Sequence, residues 1–408
     1  MYSLLLAIIY VAFVSLGLPD SLVGAGWPVM HRDLDVPVAF AGIVTTIIAG
    51  GTILSSLASE RLTRRFGAGL VTAVSVGLTA AALGGFSVSG SFWLLCLWAV
   101  PYGLGAGAVD AALNNYVALH YAARHMNWLH SFWGLGASIS PFIMSWAITS
   151  GLGWSSAYRV IGLVQAVLTV VLIVSLPLWG KVNPVAPPRQ AGPADAEPPG
   201  RGSTHVPLAQ ALRIPGVVLV LVAFSAYCAL ESTSILWAST YLVADRGVAP
   251  ATAAAFASLF LLGITAGRFL AGFFADRAGD RYLIRGGFAA VAVGVVLLVL
   301  PVRTDALALV GLVVAGLGCA PIYPAIIHST PVNFGRDNSQ AVIGIQMAAA
   351  YTGSTLAPPA FGVLSAWAGM WTFPLFLAVL VVLGLLMSER LNRLVAHRAR
   401  AAQLADRP

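Results

Sequence analysis

Apolar residues fill this chain in long, nearly uninterrupted stretches, each about the length a helix needs to cross ~30 Å of hydrocarbon, roughly 20 residues. In the first half they run near Tyr2 to Pro28, Val38 to Ala58, Gly67 to Phe86, Phe92 to His120, Trp128 to Thr149 and Tyr158 to Trp179. The second half repeats the pattern near Gly216 to Leu242, Thr252 to Ala275, Leu283 to Pro301, Ala306 to His328, Ala341 to Trp367 and Phe373 to Met387. A membrane barrel would instead alternate apolar and polar positions in segments of about ten residues. The pattern predicts an all-α membrane protein with twelve transmembrane helices in two pseudo-symmetric six-helix bundles, residues 1–180 and 213–388. Between them lies a linker, 181–212, whose run from Lys181 to Pro207 is rich in Pro, Gly, Ala and charge and can neither span nor pack a core. A basic tail occupies 389–408. No Lys or Arg precedes Arg32, so the apolar start lacks the basic segment of a cleaved signal peptide and reads as the first span.

Composition sharpens this. The chain is 59% hydrophobic and 9% charged, whereas a soluble domain carries about 25% charged residues. A polar surface cannot be built from so few charges, so the solvent is lipid. The 42 glycines suit membrane helices, whose backbones approach closely at small residues. Cys96, Cys228 and Cys319 lie inside apolar runs, as small hydrophobes without metal or disulfide spacing.

Charge sets the expected orientation. Arg61, Arg64 and Arg65 follow the second span, Arg277, Arg281 and Arg285 the eighth, and further basic residues crowd the linker and tail. Arg32, Arg159, Arg246 and Arg303 fall on the opposite side. The positive-inside rule then places both termini and the linker in the cytoplasm of a bacterial-type inner membrane. The net charge of +7 needs no nucleic-acid partner.

The halves also repeat in detail. Gly103-Leu104-Gly105 returns 213 residues later as Gly316-Leu317-Gly318, and Gly136 with Pro141 returns 217 later as Gly353 with Pro358. The basic loop ending in Gly67 returns 212 later around Gly279. Three ordered matches at nearly one offset indicate a duplicated six-helix unit.

The stretch Gly272-Phe273-Phe274-Ala275-Asp276-Arg277-Ala278-Gly279-Asp280-Arg281 resembles the loop signature of the major facilitator superfamily, G-x-x-x-D-R-x-G-x-R. Its first-half copy is degenerate, with Glu60 where the family prefers Asp. Gly17-Leu18-Pro19-Asp20-Ser21, Asp110-Ala111-Ala112-Leu113-Asn114-Asn115 and Gln346-Met347-Ala348-Ala349-Ala350 resemble the fucose permease-like sugar:proton symporters. In those proteins one acid in the first helix and one in the fourth serve substrate binding and proton coupling. The resemblance carries these roles to Asp20 and Asp110; it departs at His130 and Trp133, where the sugar symporters have amides.

The residues themselves point to the same places. An ionisable side chain within a membrane span costs at least about 2.5–3.5 kcal/mol on insertion scales, so it usually faces a cavity. Asp20 shares a helical face with Gly24 and Trp27, an acid, a bare patch and an aromatic plate suited to a polar ring, or else it packs against a neighbouring hydroxyl. Asp110 and Asn114 are four apart on one face, and a short turn brings Asn127 and His130 near, either as a proton relay or as a polar clamp. Glu231, with Tyr227 and Trp237 near its face, stands 211 residues after Asp20 as its repeat mate. Asp110 corresponds similarly to Tyr323, and the flanking Pro321 and Pro324 predict a broken or kinked helix there. Gln346 adds a hydrogen-bonding candidate, and Arg268, Asp276 and Arg277 read as a cytoplasmic latch or a static helix-end ion pair.

The expectation is therefore a secondary active transporter, not an enzyme, moving a small polar solute of sugar-like kind by proton-coupled alternating access. The alternative is a proton-driven exporter of drugs or other amphiphilic compounds on the same fold. The chain has no G-x-S-x-G elbow, no H-E-x-x-H pair and no Walker loop, Lys181 being its only lysine. His120, His125 and His130 are five apart and spread around a helix. No catalytic residue, cofactor or metal is expected, and the partners are the solute, protons and membrane lipid around a monomer.

Overall fold

A computed structural model describes residues 2–37, 40–180, 206–300 and 306–405. Its regular elements are all helical. The first half holds α1 (Tyr2–Asp20), α2 (Leu22–Asp33), α3 (Ala41–Ser87), α4 (Phe92–His120), α5 (Ala123–Thr149) and α6 (Trp154–Trp179). The second holds α7 (Leu208–Arg213), α8 (Val217–Ala244), α9 (Pro250–Ala278), α10 (Asp280–Val299), α11 (Ala306–Cys319), α12 (Ile322–His328), α13 (Thr330–Phe334), α14 (Arg336–Ala368) and α15 (Phe373–Ala405).

Among the described residues, nine helical stretches are long and apolar enough to cross a membrane. One of them, α3, has 47 residues, about 70 Å at 1.5 Å per residue and more than twice a hydrocarbon core. It is interrupted at Gly67, whose φ of 80° and ψ of 155° belong to a region essentially reserved for glycine. The basic stretch from Ser59 to Phe66, expected as a loop, is helical up to that break. The α5 and α14 helices, 27 and 33 residues long, fall outside the nine because polar side chains such as Asn127, His130 and Gln346 interrupt their apolar runs.

Three boundaries differ from expectation. The first span is interrupted at Ser21 and continues as α2 to Asp33, past the expected end at Pro28. The last span continues as helix through the basic tail to Ala405. The expected linker lies outside the described residues up to position 205, and its end falls in a short helix, Leu208–Arg213.

The chain forms two compact units, Met1–Tyr116 with His125–Asn183, and Val117–Arg124 with Pro184–Pro408. The first is cored by residues from α1 through α6, among them Leu18, Leu22, Phe86, Phe92 and Tyr158. The second buries Phe224, Phe260, Phe288, Phe361 and Phe373 completely. Leu163, Val167, Val170 and Val174 of α6, at helical spacings of four, three and four, are 60–74% exposed along one face. Such an apolar stripe is stable against lipid and costly against water.

The repeated glycines mark equivalent close approaches. A Cβ on Gly103 of α4 would meet the Ile48 carbonyl oxygen of α3 at 2.3 Å, and one on Gly316 of α11 would meet that of Phe260 in α9 at 2.5 Å. Likewise Gly136 of α5 abuts the Val14 carbonyl of α1 at 2.1 Å, and Gly353 of α14 that of Ser225 in α8 at 2.5 Å. The partners are themselves 212 and 211 residues apart. Gly279, with φ 77° and ψ 150°, adopts the backbone of Gly67. Two repeats of one helical unit account for all of these matches.

Candidate functional site

The polar clusters of the first unit start from a proline. Pro19 has no N–H, so the carbonyl of Ser15 one turn earlier loses its helical donor. Gln165 of α6 donates to that carbonyl at 2.7 Å, and Thr79 of α3 donates to the Gln165 Oε1 at 2.7 Å. One residue after Pro19, α1 ends at Asp20. Its carboxylate accepts one hydrogen bond on each oxygen, from the Tyr102 hydroxyl of α4 at 3.1 Å and from the Trp133 indole Nε1 of α5 at 2.8 Å. Asp20 is exposed and has no cationic partner among the described residues.

The aromatic plate beside Asp20 is not the expected one. Trp27 is 5% exposed and packs edge-on against Phe92, with ring centroids 6.5 Å apart, inside the unit's core. Burial of its large apolar ring fixes Trp27 inward, whereas Asp20 stays exposed. Trp133 and Tyr102 take that place, from positions 113 and 82 residues away in sequence.

The second cluster joins the residues that sequence spacing had grouped. Asn114 Nδ2 donates to Asp110 Oδ1 at 2.7 Å, and Asn114 Oδ1 lies 3.0 Å from His130 Nε2. An amide oxygen only accepts, so the His130 proton sits on Nε2 in this arrangement. Phe13 of α1 closes edge-on against the imidazole at 5.4 Å. All three polar residues are buried. The amide joins carboxylate and imidazole into one hydrogen-bonded chain while carrying no exchangeable charge itself, so a change of proton on either end is felt at the other through the Asn114 dipole.

In the second unit, Glu231 of α8 meets Arg268 of α9, which corrects the expected latch. Arg268 Nη2 lies 3.3 Å from both Glu231 oxygens, and the side chains are 3% and 15% exposed. Eight residues separate Arg268 from Asp276, about 12 Å along a helix, so the two belong to different layers. The Tyr227 hydroxyl, one turn before Glu231, donates to its carboxylate. The same hydroxyl lies 3.0 Å from the carbonyl of Cys319, the last residue of α11. The helix is broken there, between Cys319 and Ile322, as the prolines predicted. Tyr323, on the far side of the break, stands with its ring 5.8 Å from the Arg268 guanidinium and its hydroxyl 3.3 Å from Met347 Sδ.

Two other candidates turn away from this cluster. Trp237 donates from Nε1 to the Pro358 carbonyl of α14 at 2.9 Å and packs on Phe361. Six residues past Glu231 it is a third of a turn off that face, so it locks α8 to α14. Gln346 is wholly buried and accepts from Thr330 at 3.0 Å, holding α14 to α13.

Asp276, at the end of α9, accepts from the Arg124 backbone N–H at 3.0 Å and faces its Nε at 3.4 Å. Arg277 is exposed and makes no ion pair among the described residues. No group of three or more His, Cys, Asp or Glu among the described residues lies close enough to hold a metal.

Comparison with known proteins places this architecture. Bypass of stop codon protein 6 of Saccharomyces cerevisiae is 23% identical over 280 residues, which is 65% of this chain and 56% of that protein. The chain thus spans little more than half the length of this yeast relative. The 4-hydroxybenzoate transporter PcaK of Acinetobacter baylyi is 22% identical across 93% of this chain and 88% of its own. The crystal structure of the E. coli fucose:proton symporter FucP superposes with a TM-score of 0.71 at 16% identity, covering 96% of this chain and 99% of that one. The sequence pattern of the Major Facilitator Superfamily matches residues 9–242 and again 219–403, together nearly the whole chain. The chain belongs to the Major Facilitator Superfamily, and is an integral membrane transporter and not an enzyme.

Proposed function

We propose that this chain is a secondary active transporter that moves a small polar solute, a sugar or sugar-like compound, by proton-coupled alternating access. It crosses a bacterial-type inner membrane twelve times, α3 supplying two crossings and α5 and α14 one each, with both termini and the 181–212 linker in the cytoplasm. Asp110 carries the coupled proton, Asp20 binds solute directly, and Glu231 acts on solute together with Arg268. The boundary contact at Asp276 governs alternation between states rather than recognition.

The observation that carries this reading is Asp20, an accessible carboxylate at a helix break, held by two neutral donors from α4 and α5. A charge so placed within apolar helices has a large insertion cost and serves a pathway better than a core. The Asp110–Asn114–His130 chain supports proton coupling, because its two titratable ends are joined by hydrogen bonds. FucP, a fucose:proton symporter, shares the fold, which supports a sugar and a proton without fixing either.

A stabilisation screen of purified protein tests it. A ligand of the native state at 100 times its Kd adds about 2.7 kcal/mol. Monosaccharides or polyols should raise the unfolding temperature and hydrophobic drug substrates should not; stabilisation by the drugs alone overturns the proposal in favour of export.

A further inference from the structure

Several acids of this chain lie beside a basic side chain, including Glu60 of the first unit, 3.8 Å from Arg64. Glu231 faces Arg268, Asp276 faces Arg124, Asp280 lies 2.7 Å from His328, and Glu389 lies 2.5 Å from Arg285. Asp20 has Tyr102 and Trp133 instead, two neutral donors and no cation among the described residues. These donors orient the carboxylate and occupy one position on each oxygen, leaving the remaining lone pairs open on an exposed side chain. The site is thus preorganised and its charge is uncompensated.

We propose that the Asp20 subsite receives a protonated amine, so that the solute is an amine-bearing polar ring such as an amino sugar. This rests on the reading that Asp20 binds solute. A neutral hydroxyl leaves the carboxylate charge uncompensated inside the apolar helices, whereas an ammonium cancels it and offers three donors to the open lone pairs. The two groups that hold the carboxylate, the indole of Trp133 and the phenol of Tyr102, donate from their ring edges and carry no charge, so they fix its orientation without cancelling its charge. Trp133 and Tyr102 therefore act as positioning residues for the carboxylate.

Equilibrium binding of hexosamines to the purified full chain decides the matter. D-glucosamine, D-galactosamine and D-mannosamine are compared by calorimetry with their parent hexoses and N-acetyl derivatives, with methylammonium as a ringless cation. At least one hexosamine should bind tenfold or more tightly than both of its neutral counterparts. That margin should fall below threefold in Asp20→Asn and persist in Asp20→Glu, which keeps the charge. Neutral hexoses binding as tightly as the amines in the unsubstituted protein overturn the amine assignment and leave the sugar reading standing. Binding of methylammonium but of no sugar, lost in Asp20→Asn, supports the cation site and overturns the sugar reading. Absence of binding by every probe to folded protein overturns both, and the comparison within the unsubstituted chain holds even if Asp20→Asn fails to fold.

Discussion

Glu231→Gln should damage this protein more than Arg268→Gln, although the two residues form one ion pair. The Arg268 side chain is 3% exposed and Glu231 is 15% exposed, at 3.3 Å. A guanidinium cannot shed its charge, so Glu231→Gln leaves an uncompensated cation in the apolar interior, at a cost of about 3–5 kcal/mol. Arg268→Gln leaves a carboxyl that can take up a proton and keep the Tyr227 hydroxyl bond, so its cost is that of an imperfectly satisfied polar group, about 1–3 kcal/mol. The double variant carries no charge at the site, and the two amides can bond each other. Its loss should therefore be smaller than the sum of the single losses by about 1–3 kcal/mol. Reversible unfolding of the three variants in mixed micelles measures all of these quantities. An Arg268→Gln loss equal to or greater than that of Glu231→Gln, or strict additivity in the double variant, would refute the reasoning.

Asp110→Asn should abolish accumulation driven by a pH gradient yet keep solute exchange, because an amide cannot load and release a proton, while Asp20→Asn should weaken equilibrium binding itself; radiolabelled flux in proteoliposomes and calorimetry separate the two. Asp276→Asn should slow transport while leaving solute affinity within about threefold, under roughly 1 kcal/mol, and a larger affinity loss in folded protein contradicts a gating role. Gly103→Ala sets a Cβ 2.3 Å from the Ile48 carbonyl oxygen and should cost about 1–3 kcal/mol, whereas Gly84→Ala, with nothing within 4 Å of its Cβ, should be neutral or stabilising by about 0.5–1 kcal/mol in the same unfolding assay. A cysteine placed at Gly192 should resist impermeant probes added outside intact cells and react only after lysis; labelling from outside reverses the topology.

Much of this architecture was legible in the sequence because it depends on local patterns. Apolar runs of spanning length gave the helices, and equal offsets between glycines gave the repeat, whose close backbone approaches the structure then displays. The Asp110–Asn114 pair followed from four-residue spacing, and His130 came within reach through the short turn between α4 and α5. The helix break at Pro321 was equally local. What escaped was long-range or rotational. Tyr102 and Trp133 reach Asp20 from other helices, and nothing in their spacing marks them; the one available signal was Trp133, standing where the sugar symporters carry an amide. Arg268 was read with Asp276 because both lie on one helix, but which face and layer each occupies depends on the neighbours α8 and α11. Idealised helical register places Trp27 and Trp237 beside the acids, and packing in the core against Phe92 in one case and on α14 in the other puts them elsewhere.

The central claim is that solute and proton move together. Purified protein is reconstituted into liposomes that enclose a pH-sensitive dye, and the sugar that stabilises it best is added outside with no pH gradient and no nucleotide present. The account predicts acidification of the interior as solute enters, absent in Asp110→Asn. Solute entry through the unsubstituted protein with no change of internal pH would contradict it.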